Sequence, residues 1–155
     1  MGSATRYFLE MQNKIVEKLR DYFEKRDEIL MAFLFGSWAK GWEGIESDMD
    51  IAVYFKPEVH MVEWEKTDSY YGTEKQIWRE IERLVEREVD LLVLNRAAPS
   101  VADNALRGTP VIIKDRGFYL DFLLRITSEA IDFRQWVESY WRLKKRMKHG
   151  TFARR

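Results

Sequence analysis

The sequence predicts a small α/β domain whose mixed sheet of about four strands is flanked by helices. Short apolar runs bounded by glycine or proline alternate along the chain with longer segments whose apolar residues recur every three or four positions. The 155 residues are 46% hydrophobic and 34% charged, enough apolar material for one core beneath a heavily solvated surface. The whole chain, 1–155, reads as a single domain with its core over about 29–116 and a C-terminal helix over about 117–149.

In residues 5–27, Phe8, Met11, Ile15, Leu19 and Phe23 mark one face of an amphipathic helix. The run ILMAFLF, 29–35, is continuously apolar and stops at Gly36, as expected of a strand buried on both faces. MDIAVYF, 49–55, is rich in β-branched and aromatic residues and ends before Pro57, a second strand. Residues 56–72 are mixed and polar, a loop with room for a short helix. From Thr73, the expected N-cap, to Glu88, a helix face is marked by Ile77, Ile81, Leu84 and Val85. VDLLVL, 89–94, is a third buried strand, and Pro99-Ser100 opens a short helix that closes at Gly108. PVIIKD, 110–115, is a fourth strand at an edge, because Pro110 has no N–H and can only start one. Residues 117–149 form the longest helical pattern, with Phe118, Phe122, Ile126, Ile131, Phe133, Val137, Tyr140 and Trp141 at its apolar positions. The first two strands have no crossover helix between them, so the sheet is expected to be mixed.

Composition narrows the function. Formal net charge is zero, which removes any global electrostatic case for nucleic-acid or membrane binding. The absence of cysteine excludes disulfides and thiolate metal sites and fits a cytoplasmic protein. No apolar run approaches the roughly 20 residues of a membrane span, and the charged N-terminus does not read as a signal peptide.

The stretch FGSWAKGWEGIESDMDIAVYF, 35–55, places a glycine-rich loop and two aspartates between two core strands. Residue by residue it reads as a hairpin with a polar turn; taken together it reads as a phosphate cradle beside a metal site. Side chains alternate along a strand, so Asp48 and Asp50 point to one side, where they repel unless a cation lies between them. Mg²⁺ is the natural candidate, a hard cation held by one or two carboxylates and substrate phosphates. Asp90 opens another buried strand. If that strand lies beside 49–55, Asp90 converges with the other two, and three acids suffice for two metal ions. Gly36 allows close backbone approach to a ligand and Ser37 offers a hydroxyl to phosphate. The loop is no Walker A element, since Trp42 and Glu43 follow the second glycine of GSWAKG. Ser37 directly follows its glycine, which excludes a nucleophile elbow, and an EF-hand lacks its loop glycine and terminal Glu.

Gly36-Ser37, ten residues, then Asp48-x-Asp50 on a strand resembles the signature of DNA-polymerase-β-like nucleotidyltransferases, and the small size is similar to the minimal members of that superfamily. SDMDIAV, VDLLVLN and APSVADNALRGTPVIIKD follow the family layout in order over most of 30–116. The resemblance implies a small nucleotidyltransferase fold. It also implies Mg²⁺ on Asp48 and Asp50, with Asp90 completing the site and helping to deprotonate an acceptor hydroxyl. Gly36 and Ser37 would hold the β- and γ-phosphates of ATP, with Lys40 as a further contact where many relatives carry arginine. The implied reaction is AMP transfer with loss of pyrophosphate. The similar MntA-type antitoxins modify a tyrosine of a partner toxin of the HEPN fold, which implies that partner, and a hetero-oligomer with it, here. A small-molecule, antibiotic-type transferase and a non-catalytic antitoxin that masks its toxin are the rival expectations. Trp38 and Trp42 are expected to pack over a neighbouring helix, and Asp103 and Glu46 to face solvent. His60 and His149 receive no role, and the basic run RLKKRMKH is expected to be a solvated helix end.

Overall fold

The computed structural model describes residues 2–40, 48–56 and 66–152. Helix α1 (Gly2–Glu24) leads into β1 (Ile29–Phe35), the short helix α2 (Ser37–Lys40) and β2 (Met49–Phe55). Helix α3 (Lys66–Val85) returns the chain to β3 (Val89–Val93), followed by a 3₁₀ turn (Leu94–Arg96), α4 (Pro99–Leu106), β4 (Thr109–Ile113) and α5 (Arg116–Phe152). The strands lie in the order β3-β2-β1-β4. β1 is antiparallel to both β2 and β4, whereas β2 and β3 are parallel. The sheet is mixed because the β2–β3 connection is long enough to carry a helix.

Alternation along the strands divides the core. Ala32, Leu34, Met49, Ile51 and Val53 meet Leu19 and Phe23 of α1 and Ile77 and Ile81 of α3. Met31, Phe33 and Ala52 face the other way, onto Ala102 and Ala105 of α4 and Phe122 and Ile126 of α5. A register shift between Ile29 and Met31 lets Ile29 share a side with Ala32 despite its odd spacing.

Several boundaries differ from expectation. Helix α3 begins at Lys66, so Thr73 lies inside it and does not cap it, and the loop expected over 56–72 gives way to helix for its last residues. Gly72 lies within the helix, where an internal glycine costs only about 1 kcal/mol, which the buried Ile77 and Ile81 face offsets. β3 ends at Val93 because Leu94 turns into the second core cluster. Asn95 then stands in for the lost ladder: its Oδ1 accepts from Phe55 N–H at 2.8 Å and its Nδ2 donates to Phe55 C=O at 2.9 Å. β4 lies at an edge as expected, with Pro110 second in the strand, not first. In α5 the largest departure concerns burial. Phe122, Ile126 and Ala130 are buried, but Ile131, Phe133, Tyr140 and Trp141, expected on the apolar face, are exposed because the helix outruns the sheet and α4.

Candidate active site

The ends of three strands meet at one edge of the sheet. β2 and β3 run parallel and start together, so that Asp50 stands directly across the ladder from Asp90. Met49 N–H donates to Glu88 C=O at 3.0 Å, which locks this register at its first step. Residues in register on parallel strands point to the same face, so β2 and β3 present their carboxylates side by side. Asp48, one residue before β2, lies on the same alternation as Asp50. Asp48 and Asp90 are exposed and Asp50 is half-buried. Partial burial, and then the negative charges of Asp90 and Asp48, hold the Asp50 carboxyl above its ordinary pKa. The cost of bringing the three acids together is therefore felt at Asp50.

On the other flank of β2, Phe35 pairs with Asp50 across the β1–β2 ladder. The next residue, Gly36, takes a left-handed φ of 72°. A Cβ there would strike the Asp50 carboxylate, so glycine is required both by its torsion and by the neighbouring acid. The chain then makes the helical turn α2, where a loop was expected from Trp38 onward. Trp38 explains the turn. Its ring is fully buried, tilted on Phe8 at 5.4 Å between centroids and covered by the Arg87 guanidinium at 4.6 Å. Its carbonyl accepts a 2.7 Å hydrogen bond from the buried Gln12 Nε2. The expected packing of Trp38 over a helix is thus observed, and Ser37 is fixed between this anchor and Gly36. The side chain of Lys40, with Trp42, Glu46 and His60, lies outside the described residues.

A cleft of about 400 Å³ opens beside the acids, lined by Asp48, Trp78, Glu82, Glu88, Val89 and Asp90. Trp78 Nε1 donates to Val89 C=O at 2.7 Å and to Glu82 Oε1 at 3.1 Å, and Val89 N–H donates to the same Glu82 oxygen at 3.2 Å. The i, i+4 pair Trp78 and Glu82 thereby fixes the open edge of β3. Nothing in the sequence singled these two out beyond that spacing. Asp103, expected to face solvent, is instead buried in α4, where it pairs with Arg107 at 3.3 Å and with Arg134 of α5 at 3.7 Å. His149 is exposed.

Among the described residues no group of three or more His, Cys, Asp and Glu side chains forms a ready-made metal cage. Mg²⁺ needs none, because it retains waters and completes its shell with substrate phosphates. The residues fit such an ion by their chemistry: an all-oxygen acidic set in which Asp50 already resists its own charge.

The polymerase β nucleotidyltransferase family profile matches residues 17–117, a span that contains β1, the Gly36 turn, β2, β3 and β4. The chain belongs to this family. It is a nucleotidyltransferase, and the acid-bearing strand ends lie within the matched region. No curated protein sequence matches the chain. Among solved structures, it resembles a chain of a mutant toxin–antitoxin MntA–HpeT complex at 18% identity and TM-score 0.59, over 88% of this chain and 98% of that one. It resembles a chain of a toxin–antitoxin complex with AMP-PNP at 20% identity and TM-score 0.55, over 88% and 98%. A third match is to a chain of a structure of tri-AMPylated Shewanella oneidensis HEPN toxin in complex with MNT antitoxin, at 17% identity and TM-score 0.54, over 90% and 98%. At these identities the likeness is one of fold, and it extends over nearly the full length of each matched chain.

Proposed function

We propose that this nucleotidyltransferase transfers AMP from ATP to a tyrosine hydroxyl of a partner toxin of the HEPN fold and so acts as its antitoxin. The observation that carries the proposal is the in-register pairing of Asp50 with Asp90 across β2 and β3, beside a left-handed Gly36 that keeps the floor of the site open. Asp48 and Asp50, with Asp90 completing the set, would hold Mg²⁺, which when bound offsets charge on the phosphates and on the leaving pyrophosphate. Gly36 and Ser37, with Lys40, would hold the β- and γ-phosphates. Asp90, exposed at the cleft, is the acid an incoming acceptor meets, and it would draw the proton from the hydroxyl. The acceptor oxygen then bonds to the α-phosphorus as the bond to pyrophosphate breaks. Similarity to chains of toxin–antitoxin complexes, one with AMP-PNP and one with an AMPylated HEPN toxin, supports this choice of donor and partner. Use of ATP suits a cytoplasmic protein, and no helix among the described residues is long and apolar enough to cross a membrane.

The acidic cleft favours one other reading. With Asp48, Asp90, Glu82 and Glu88 around an indole, it suits a cationic small acceptor such as an aminoglycoside. One experiment separates the two. The protein and its Asp48→Ala, Asp50→Ala double variant are incubated with ATP, Mg²⁺ and the co-encoded neighbour protein, and each mixture is weighed by intact mass spectrometry. Added AMP on the neighbour with the native chain alone is the expected result. If the neighbour binds but never gains mass, the protein-transfer reading fails for that pair, and a parallel reaction with aminoglycosides decides the second.

A further inference from the structure

The apolar face of α5 does not end where the domain ends. From Ile126 the positions Ala130, Phe133, Val137 and Tyr140 follow in alternating steps of four and three; Lys144 takes the next position, its Nζ over the Tyr140 and Trp141 rings, and Met147 the one after. Ile126 and Ala130 are buried against the domain, whereas Phe133, Tyr140 and Met147 are 56%, 47% and 68% exposed. Trp136, Trp141 and Leu143 flank the seam and are also exposed. The rings are ordered relative to one another: Phe133 stacks near Trp136 at 6.3 Å, Trp136 on Tyr140 at 5.8 Å, and Tyr140 meets Trp141 edge-on at 5.8 Å. A seam of this period is the pattern by which one helix packs along another. Tryptophan and tyrosine are the residues most enriched where proteins bind each other.

The charges around the seam indicate what covers it. The half nearer the domain carries Glu129, Asp132 and Glu138, and its Arg134 is drawn toward Asp103. The distal half carries Arg142, Lys144, Lys145, Arg146 and Lys148 with no acid among them. Two copies laid side by side in the same direction would set base against base. Laid in opposite directions, each acidic half meets the other copy's basic half. We propose that the projecting part of α5 pairs antiparallel with the same helix of a second copy, about a twofold axis near its midpoint. The area is adequate. Four aromatics at roughly 150–250 Å² each, about half still open, together with Leu143 and Met147, give roughly 600 Å² per copy. Roughly 1,200 Å² for the pair lies at the lower limit of specific interfaces.

Sedimentation of the full chain over about 1–100 µM tests the pairing, since a dimer dissociates on dilution. The expected species has twice the 18.6 kDa chain mass. Trp136→Glu with Tyr140→Glu is expected to give a monomer with an unchanged circular dichroism spectrum. Lys144→Glu with Lys145→Glu is expected to weaken the dimer at least about tenfold, and adding Glu129→Lys with Asp132→Lys to restore it. The chain has no cysteine, so Ser128→Cys accepts a single spin label. Antiparallel helices would place two labels roughly 30 Å apart, and parallel helices roughly 10 Å. A monomer at every concentration, a dimer indifferent to the glutamate pair, or a short label distance would each overturn the proposal.

Discussion

A methyl group at Gly36 would meet the carboxylate of Asp50 and occupy a left-handed φ at the same time. Gly36→Ala is therefore expected to cost about 1–3 kcal/mol, read as a lowered urea midpoint, and to reduce AMP transfer by displacing Asp50. Asp50→Asn should separate stability from activity. The folded state raises the Asp50 pKa, so it binds that proton more tightly than the unfolded chain does. The native protein accordingly gains stability as pH falls through the folded pKa toward the ordinary carboxylate value, and lacks that gain at neutral pH. Without divalent metal at pH 7, Asp50→Asn should melt above the native chain while losing transfer; a lower melting temperature would refute the electrostatic account. The strand position of Asp50 with Asp48 two residues before it, and the turn at Gly36, could be read from the sequence because strand alternation and the stop of an apolar run at glycine are local rules. Asp103 could not, because its burial depends on Arg134, on a different helix.

Among the elements, α3 is joined to α1 by the Tyr22 hydroxyl and to the turn between α1 and β1 by the Arg26 guanidinium, both donating to the Glu80 carboxylate. The Tyr22 bond first, then those from Gln76 and Arg26, depresses the Glu80 pKa to about 2. A depressed carboxylate contributes stability that is complete above its unfolded value of 4.5 and is lost as pH falls toward 2. Glu80→Gln should thus lower the urea midpoint at pH 7 and narrow its gap to the native chain on acidification through that window. A constant gap would assign the Glu80 contribution to shape alone. The α2 turn depends on one ring. Trp38→Ala should cost about 3–5 kcal/mol, and transfer by the folded fraction should also fall because Ser37 loses its anchor. Helix periodicity made α1, the later part of α3 and α5 legible. The 66–72 stretch was not, since a helix whose start carries few apolar residues resembles a loop until its other end is seen packed.

For the molecule as a whole, the class and mixed character of the sheet followed from strand count and connection length, but strand order did not. That Asp90 meets Asp50 depends on β3 joining the β2 edge and not the β4 edge, a choice made by α3 packing against α1 and the sheet. If Asp48 and Asp50 hold Mg²⁺, raising its concentration should lift the melting temperature of the native chain, and Asp50→Asn should remove most of that response. An equal lift in both proteins would place the ion elsewhere.

β3 is a five-residue strand at the open margin of the sheet, and it carries one of the three acids. Such a margin frays before the centre, so its amides should trade hydrogen for deuterium sooner than those of β1. Repulsion between Asp90 and Asp50 hastens the fraying, and an ion spanning the two strands would act as a clasp. Deuterium uptake at Asp90 and Leu92, whose N–H groups face β2 on the alternation that turns Val89 outward, should then slow in Mg²⁺ while β4, the opposite margin, exchanges as before. An outer strand of the sheet would then be the part that closes when the enzyme is loaded.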